Sequence, residues 1–202
     1  MRDTPARMLA GLILMGTALP ALAAGPSDPD WPCIQRKVER LSIAAMWPDP
    51  IPEGTEPLPE DLEEVAAQLA LRRVSEEDAQ ELLSHAKESH PNLGPDDYGQ
   101  VFRITFDHID RQRTEIVAGI GRYARNQSTL ASELEELRAE MKDLEAAEAP
   151  DFDRMDEVEA EIDWRVRIFN DRNRALTYVC ESPVLLEQRA FWIAQMLLKA
   201  AG

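Results

Sequence analysis

The chain has 202 residues, with 22 Lys and Arg against 38 Asp and Glu, and a formal net charge of −16. So strong a negative charge repels phosphate backbones and argues against nucleic-acid binding. Hydrophobic residues make up 44% of the chain and aromatic residues only 6%, a composition that favours helices over sheets. The sequence therefore predicts an acidic, all-α protein.

The first 24 residues have the three parts of a secretory signal peptide. Two arginines precede an apolar run over residues 8–19, and Ala21-Leu22-Ala23-Ala24 follows a proline. The apolar run is too short to span a bilayer, which needs roughly 20 residues. We therefore expect an exported chain, periplasmic or secreted, with no membrane span after cleavage of residues 1–24.

Export determines how the two cysteines are interpreted. In an oxidising compartment Cys33 and Cys180 most simply form one disulfide, and two separately buried thiols are the alternative. The chain has no Cys-x-x-Cys sequence, so redox exchange and covalent haem attachment have no support. We expect a disulfide between the two ends of the mature chain.

Residues 25–95 are expected to form short helices around a proline-rich linker. The first helix is predicted from apolar residues at spacings of three and four: Trp31, Ile34, Val38, Leu41 and Ala45. Prolines from Pro48 onward end it. A second helix carries the apolar positions Leu62, Val65, Ala66 and Leu69. The third begins at the N-cap Ser75 and carries Ala79, Leu82, Leu83 and Ala86.

Residues 96–181 have the pattern of a long antiparallel coiled-coil hairpin. Eleven of thirteen positions spaced by four and three are apolar, which is a coiled-coil seam. The thirteen are Phe102, Phe106, Ile109, Arg113, Ile116, Ile120, Tyr123, Gln127, Leu130, Leu134, Leu137, Met141 and Leu144. The turn is predicted near residues 147–152, and the returning helix carries Met155, Val158, Ile162, Phe169, Leu176 and Val179.

The apolar positions of the two helices pair in one register, since the residue numbers of facing pairs add to a constant. That register places Gln127 opposite Arg172, which predicts a polar layer that fixes the alignment. In the alternative, Asn173 lies at the seam, Arg172 points outward, and the register slips.

Residues 182–202 are predicted to form a separate buried helix that begins at Ser182-Pro183 and packs on the base of the hairpin. The first helix of the hairpin is flanked by small or apolar residues up to Ala131 and by charged residues beyond it. A wide apolar stripe must be covered by further helices, whereas a narrow one needs only its partner. The expected fold is a helical bundle base with a projecting two-helix tip.

Charge is distributed unevenly along this hairpin. Residues 133–163, which we call the hairpin tip, contain fourteen acidic and three basic side chains, while arginines predominate in the stem. A solvated coiled-coil surface explains this simply, and docking to a basic partner or loose binding of divalent cations are the functional alternatives. The candidate contact residues are Glu140, Glu145, Asp151, Asp156 and Trp164.

No catalytic, cofactor-binding or metal-ligating motif occurs in the sequence. We therefore expect a non-enzymatic protein of the bacterial periplasm that acts through protein–protein contact, as an adaptor, accessory subunit or chaperone-like factor. The expected partner is a protein with a basic surface, and a homodimer is compatible with the sequence. The alternative is a periplasmic binding protein that responds to a small ligand or a metal.

Overall fold

The computed structural model describes residues 28, 30–52 and 57–202. The predicted signal peptide lies outside these residues. The described residues form helices joined by irregular segments, and they contain no strand. In chain order the elements are a short 3-10 helix at Ile43–Ala45, α1 at Glu60–Leu69, α2 at Glu76–Ser89, α3 at Pro95–Ala146 and α4 at Phe152–Ala201.

Helices α3 and α4 form the predicted antiparallel hairpin. They contain 52 and 50 residues, and at about 1.5 Å of rise per residue each is roughly 75–78 Å long. The turn between them covers residues 147–151, within the predicted range. At the start of α3, Pro95 takes the first helical position, and the Gly94 N–H donates to the Asp97 carboxylate over 2.8 Å. The all-helical hairpin fold is thereby confirmed.

Both short helices α1 and α2 are present where the sequence predicts them. Helix α2 begins with a capping box in which the Asp78 N–H donates to Ser75 Oγ and the Ser75 N–H donates to the Asp78 carboxylate. Helix α1 packs on α3, where the Thr105 hydroxyl donates to the Ala66 carbonyl oxygen over 3.0 Å. Together these two helices cover one side of the hairpin stem.

The prediction of a helix from Trp31 to Ala45 is wrong. Residues 30–47 form a strap along α3 that contains no α-helix and only the 3-10 turn at Ile43–Ala45, and Ile34 is 103% exposed, so the apolar spacing does not mark a buried helical face. Two buried side chains of α3 hold the strap. Arg113 Nη1 donates to the Val38 carbonyl oxygen over 2.7 Å, and Asp110 Oδ1 accepts from the Leu41 N–H over 2.9 Å.

The distance that the strap must cover explains why it is extended. One end is fixed where Asp30 pairs with Arg125, and the other where Trp47 stacks on Phe102 with ring centroids 5.2 Å apart. These α3 positions are separated by about 35 Å of helix rise, whereas a helix of the strap's length would reach only about 26 Å. An extended chain reaches both anchors.

Cys33 of the strap and Cys180 of α4 form a disulfide, with their Cα atoms 5.6 Å apart. The predicted pairing is thereby confirmed. The bond closes a loop with a sequence separation of 147 residues. It fixes the start of the strap to α4, while Arg113 and Asp110 fix its middle to α3. The strap therefore lies against both helices of the stem.

The C-terminal segment is not a separate helix. Helix α4 continues through Pro183, which lies inside it and is buried. Proline has no N–H, so the carbonyl group of Val179 loses its helical partner, at a cost of about 3 kcal/mol. Burial of the following positions outweighs this cost, because five of them are completely buried: Leu186, Ala190, Ile193, Ala194 and Leu197.

The core of the protein lies at the base, where α1, α2, α3, α4 and the end of the strap meet. Its largest fully buried side chains include Phe102, Ile109, Leu62 and Leu69. Among the described residues, no helix is both long and apolar enough to cross a membrane. The base is thus a packed helical bundle from which the outer part of the hairpin projects.

Candidate functional site

A polar layer separates the stem of the hairpin from its outer half. Gln127 is buried, and its Nε2 donates to the Asn173 Oδ1 over 3.0 Å and to the Phe169 carbonyl oxygen over 3.2 Å. Arg172 is exposed at the surface. The predicted pairing of Gln127 with Arg172 is therefore wrong by one residue, because the seam passes through Asn173 and leaves Arg172 outside.

Beyond this layer the two helices pack only on each other among the residues that the structure describes. Leu130, Leu134 and Val158 are buried there, and Val158 is completely shielded from solvent. The surrounding positions are mostly exposed. A two-helix rod presents most of its other side chains to solvent, so much of the surface of the hairpin tip is open to contact.

Two of the predicted contact residues have structural roles at the tip. Glu140 is half-buried and pairs with Arg154 across the hairpin, with 2.7 Å between Oε1 and Nη2. Hydrogen bonds to Glu140 and then to Glu157 raise the pKa of Arg154 above its ordinary range. Asp151 caps α4 by accepting from the Arg154 N–H over 3.1 Å. These groups close the turn and are less free to bind a partner.

The other acidic residues of the tip remain available. Glu145 and Asp156 are exposed, and neither takes part in an ion pair or side-chain hydrogen bond within the described part of the chain. The same holds for Glu136, Asp143, Glu148, Asp153, Glu159 and Asp163. Most of the tip's negative charge is therefore uncompensated and faces solvent, which favours contact with cationic groups.

Trp164 directly follows the last residue of the hairpin tip and is 61% exposed. It borders a shallow depression of about 540 Å³, which we call the Trp164 groove. The groove is lined by Asn126, Thr129, Leu130, Glu133, Glu161, Trp164, Arg165, Ile168 and Arg172. An exposed indole beside a concave surface is a feature of protein contact sites, where Trp often contributes much of the binding energy.

Ion pairs hold the floor of the Trp164 groove in place. Arg165 bridges the two helices, pairing with Glu133 of α3 and with Glu161 of its own helix, the latter over 2.7 Å. The hydrogen bond to Glu161 is the main reason that the pKa of Arg165 is raised. Arg165 therefore links the two helices of the hairpin at the Trp164 groove.

The base of the protein contains shallow grooves. One of them, of about 460 Å³, lies beside Trp47 and Gly99 and is bordered by three prolines and Gly202. No group of three His, Cys, Asp or Glu side chains is placed to hold a metal ion in the parts of the chain described here.

Comparisons with known proteins give no further guide to function. No protein-family profile, curated protein or solved structure matches this chain.

The sequence did not identify the two residues that hold the strap. The seam pattern includes Arg113 as one of its only two polar residues, and no sequence pattern marks Asp110. Both are buried, and Asp110 also accepts from Arg40 Nη2 over 2.9 Å. A charged residue at a predicted core position of a helix was the available signal that something outside the hairpin covers it.

Proposed function

We propose that this protein acts without catalysis in the bacterial periplasm, as an adaptor, accessory subunit or chaperone-like factor that binds another protein with its hairpin tip. The observation that carries the proposal is the exposed Trp164 beside a dense, unpaired acidic surface. The disulfide of Cys33 with Cys180 supports an oxidising compartment. The packed base serves as the support for this contact.

The division of the molecule supports a contact role for the tip. The base buries its apolar residues in a core, whereas the tip consists of two helices held by a narrow seam. A projecting two-helix rod adds little to the stability of the base. Its length is consistent with a surface that reaches a partner while the base stays clear of it.

The chemistry of the tip defines the partner that it fits. Fourteen acidic and three basic residues give the tip a net charge of −11. The tip therefore attracts a basic protein surface that comes within about one Debye length of it, beyond which salt screens the attraction. Charge of this kind mainly accelerates association and selects partners, while a buried aromatic side chain supplies affinity. The expected partner therefore combines Lys or Arg residues with an apolar recess that accepts the Trp164 indole.

Site-specific photo-crosslinking in cells tests this proposal. A photoreactive phenylalanine analogue replaces Trp164, and a matched control carries it at Leu71, an exposed apolar residue two positions after the end of α1. We expect a defined covalent adduct with a protein from position 164 and none from position 71. Because the tip contributes charge, Asp156→Lys combined with Asp163→Lys should reduce the yield of the adduct about tenfold.

A matched charge reversal on α2 is the control for the tip variant. Glu77→Lys with Glu81→Lys changes the net charge equally but lies off the hairpin, so the adduct at position 164 should persist. Equal loss of adduct with both double variants would mean that net charge alone matters. That result, or the absence of any adduct from position 164, would contradict a docking role for the tip.

A further inference from the structure

The groove of about 460 Å³ in the base, which we call the Trp47 groove, lies between the end of the strap, the start of α3 and the end of α4. Its walls are mainly apolar and include three prolines, Ile51 and Leu198, while Trp47, Asp49 and Asp96 supply polar groups. Sites for small organic molecules are concave, mostly apolar and of this order of volume, and a few polar groups fix the orientation of the ligand. The Trp47 groove has these properties.

Trp47 brings a hydrogen-bond donor without a partner to this groove. Its side chain is held by stacking on Phe102, and the residue is only 5% exposed. The Nε1 atom lies 3.6 Å from the position that a Cβ at Gly99 would take, and both residues border the groove. The Trp31 indole N–H donates to the Gln35 carbonyl oxygen, but that of Trp47 donates to no acceptor within the described residues. Because a buried indole N–H usually has an acceptor, this one is positioned to donate to a ligand.

Gly99 leaves the space beside this N–H open. It lies in the second turn of α3 and is buried. Glycine weakens a helix interior relative to alanine, and it is typical of positions that another group approaches closely. A Cβ at this position would come 3.4 Å from Ile51 Cγ1 and 3.6 Å from Trp47 Nε1. A larger side chain would therefore occupy the space that a ligand needs in order to reach the indole.

The charge at the rim of the Trp47 groove is negative. Asp49 and Asp96 are exposed, and no Lys, Arg or His side chain borders the groove. Neither carboxylate takes part in an ion pair or side-chain hydrogen bond in the part of the chain that the structure describes. The dipole of α3 partly offsets the charge of Asp96 in its first turn, but Asp49 lies outside the helix. The groove therefore attracts a cation and repels a carboxylate or a phosphate.

We propose that the Trp47 groove binds a small organic cation, an amine on an apolar body that also carries an oxygen atom. The oxygen accepts a hydrogen bond from the Trp47 indole N–H, and the apolar body packs on Ile51 and Leu198. The ammonium group lies near Asp49 and Asp96 at the rim. A bare metal ion fits this groove poorly, because it needs several oxygen ligands around one point and gains nothing from apolar walls and an N–H donor. The site is separate from the hairpin tip and gives the base a ligand-binding role of its own.

An NMR titration with tyramine tests the site, with tyrosol as the matched neutral analogue in which a hydroxyl group replaces the amine. The isotope-labelled chain gives four indole N–H signals, one for each tryptophan. We expect tyramine to shift the signal of Trp47 and not the other three, with a dissociation constant below about 1 mM. Tyrosol should bind about tenfold more weakly because it lacks the charge. No shift of the Trp47 signal up to about 10 mM tyramine, equal shifts of all four signals, or equal affinities for the two compounds would overturn the proposal.

Filling the groove tests the location. Gly99→Val places a branched side chain beside the indole N–H and should weaken tyramine binding at least about tenfold. The matched control is Gly119→Val on the same helix, where a Cβ would meet only Arg122 Nη2, at 3.8 Å, the end of a flexible side chain. This control should bind tyramine as the wild type does. Equal losses in the two variants would contradict binding in the Trp47 groove.

Neutralising the rim tests the charge separately and holds even if Gly99→Val disturbs the packing of the base. Asp49→Asn with Asp96→Asn should weaken tyramine binding about tenfold and leave tyrosol binding unchanged. The matched control, Asp107→Asn with Glu115→Gln, removes the same charge from exposed positions of α3 outside the groove and should leave both affinities unchanged. Equal losses of tyramine binding in the two double variants would mean that tyramine responds only to the overall negative charge, and this result would overturn the proposal.

Discussion

Removal of the Cys33–Cys180 disulfide is the perturbation whose size follows most directly from the structure. The bond closes a loop with a sequence separation of 147 residues. The chain-entropy model for a loop of this size gives a stabilisation of about 5 kcal/mol, acting by restricting the unfolded chain. Cys33→Ser with Cys180→Ala should lower the free energy of unfolding by an amount that approaches this value.

Urea unfolding followed by circular dichroism measures the difference. The oxidised chain and the double variant should differ in their midpoints, and the denaturant slope should increase in the variant because its unfolded state is less compact. Either single substitution breaks the bond and should cost nearly as much as both together. A loss below about 1 kcal/mol, with an unchanged slope, would refute the loop-entropy reasoning.

Three further predictions concern the tip, the polar layer and the contact between α1 and α2. Val158→Ala should lower the free energy of unfolding by about 1–3 kcal/mol and increase hydrogen exchange only in the tip, whereas Leu186→Ala should lower it by about 2–5 kcal/mol and increase exchange throughout the base. Equal increases in the tip and the base in both variants would show that the two parts unfold together. Gln127→Leu should stabilise the hairpin by about 1 kcal/mol, measured by thermal unfolding, because the Gln127 Oε1 atom is buried without a partner among the described residues; a loss of stability would show that the polar layer is net favourable. The hydrogen bond from His90 lowers the pKa of Asp61, so this contact stabilises the fold above the unfolded pKa of the carboxyl group, and the stabilisation is lost as the pH falls through the lower folded pKa. His90→Ala should return the pKa of Asp61 towards its ordinary range in a carbon-detected NMR titration, and an unchanged pKa would refute this interpretation.

The hairpin was predictable because its signal is long and repeated. Thirteen seam positions share one period, and a change at any single position leaves the pattern intact. The disulfide was predictable from the export signal, since two cysteines in an oxidising compartment can form only one bond within the chain. The exact partner of Gln127 was not predictable. The pairing of apolar residues locates the position that faces Gln127 only to within one residue, and the two neighbouring candidates, Arg172 and Asn173, are both polar.

The strap could not be predicted because its structure depends on contacts far along the chain. Its apolar spacing matches a helix, but Asp110 and Arg113 bind its backbone from about 70 residues away. The continuity of α4 through Pro183 has a similar origin, since local sequence favours a break and burial in the base overrides it. In the candidate site, sequence patterns identified Trp164 correctly as exposed, yet they could not distinguish the paired Glu140 from the free Glu145.

Shortening the hairpin tests the central claim most directly. Residues 133–163 are replaced by a short glycine-rich turn that joins Ser132 to Trp164, which removes most of the acidic surface and leaves the base and disulfide in place. Binding to the protein that crosslinks to position 164 is then measured with purified components for the full and shortened chains. The proposed function predicts that shortening lowers the affinity at least a hundredfold while the urea midpoint of the base stays unchanged. Equal affinity of the two chains would contradict a role for the tip.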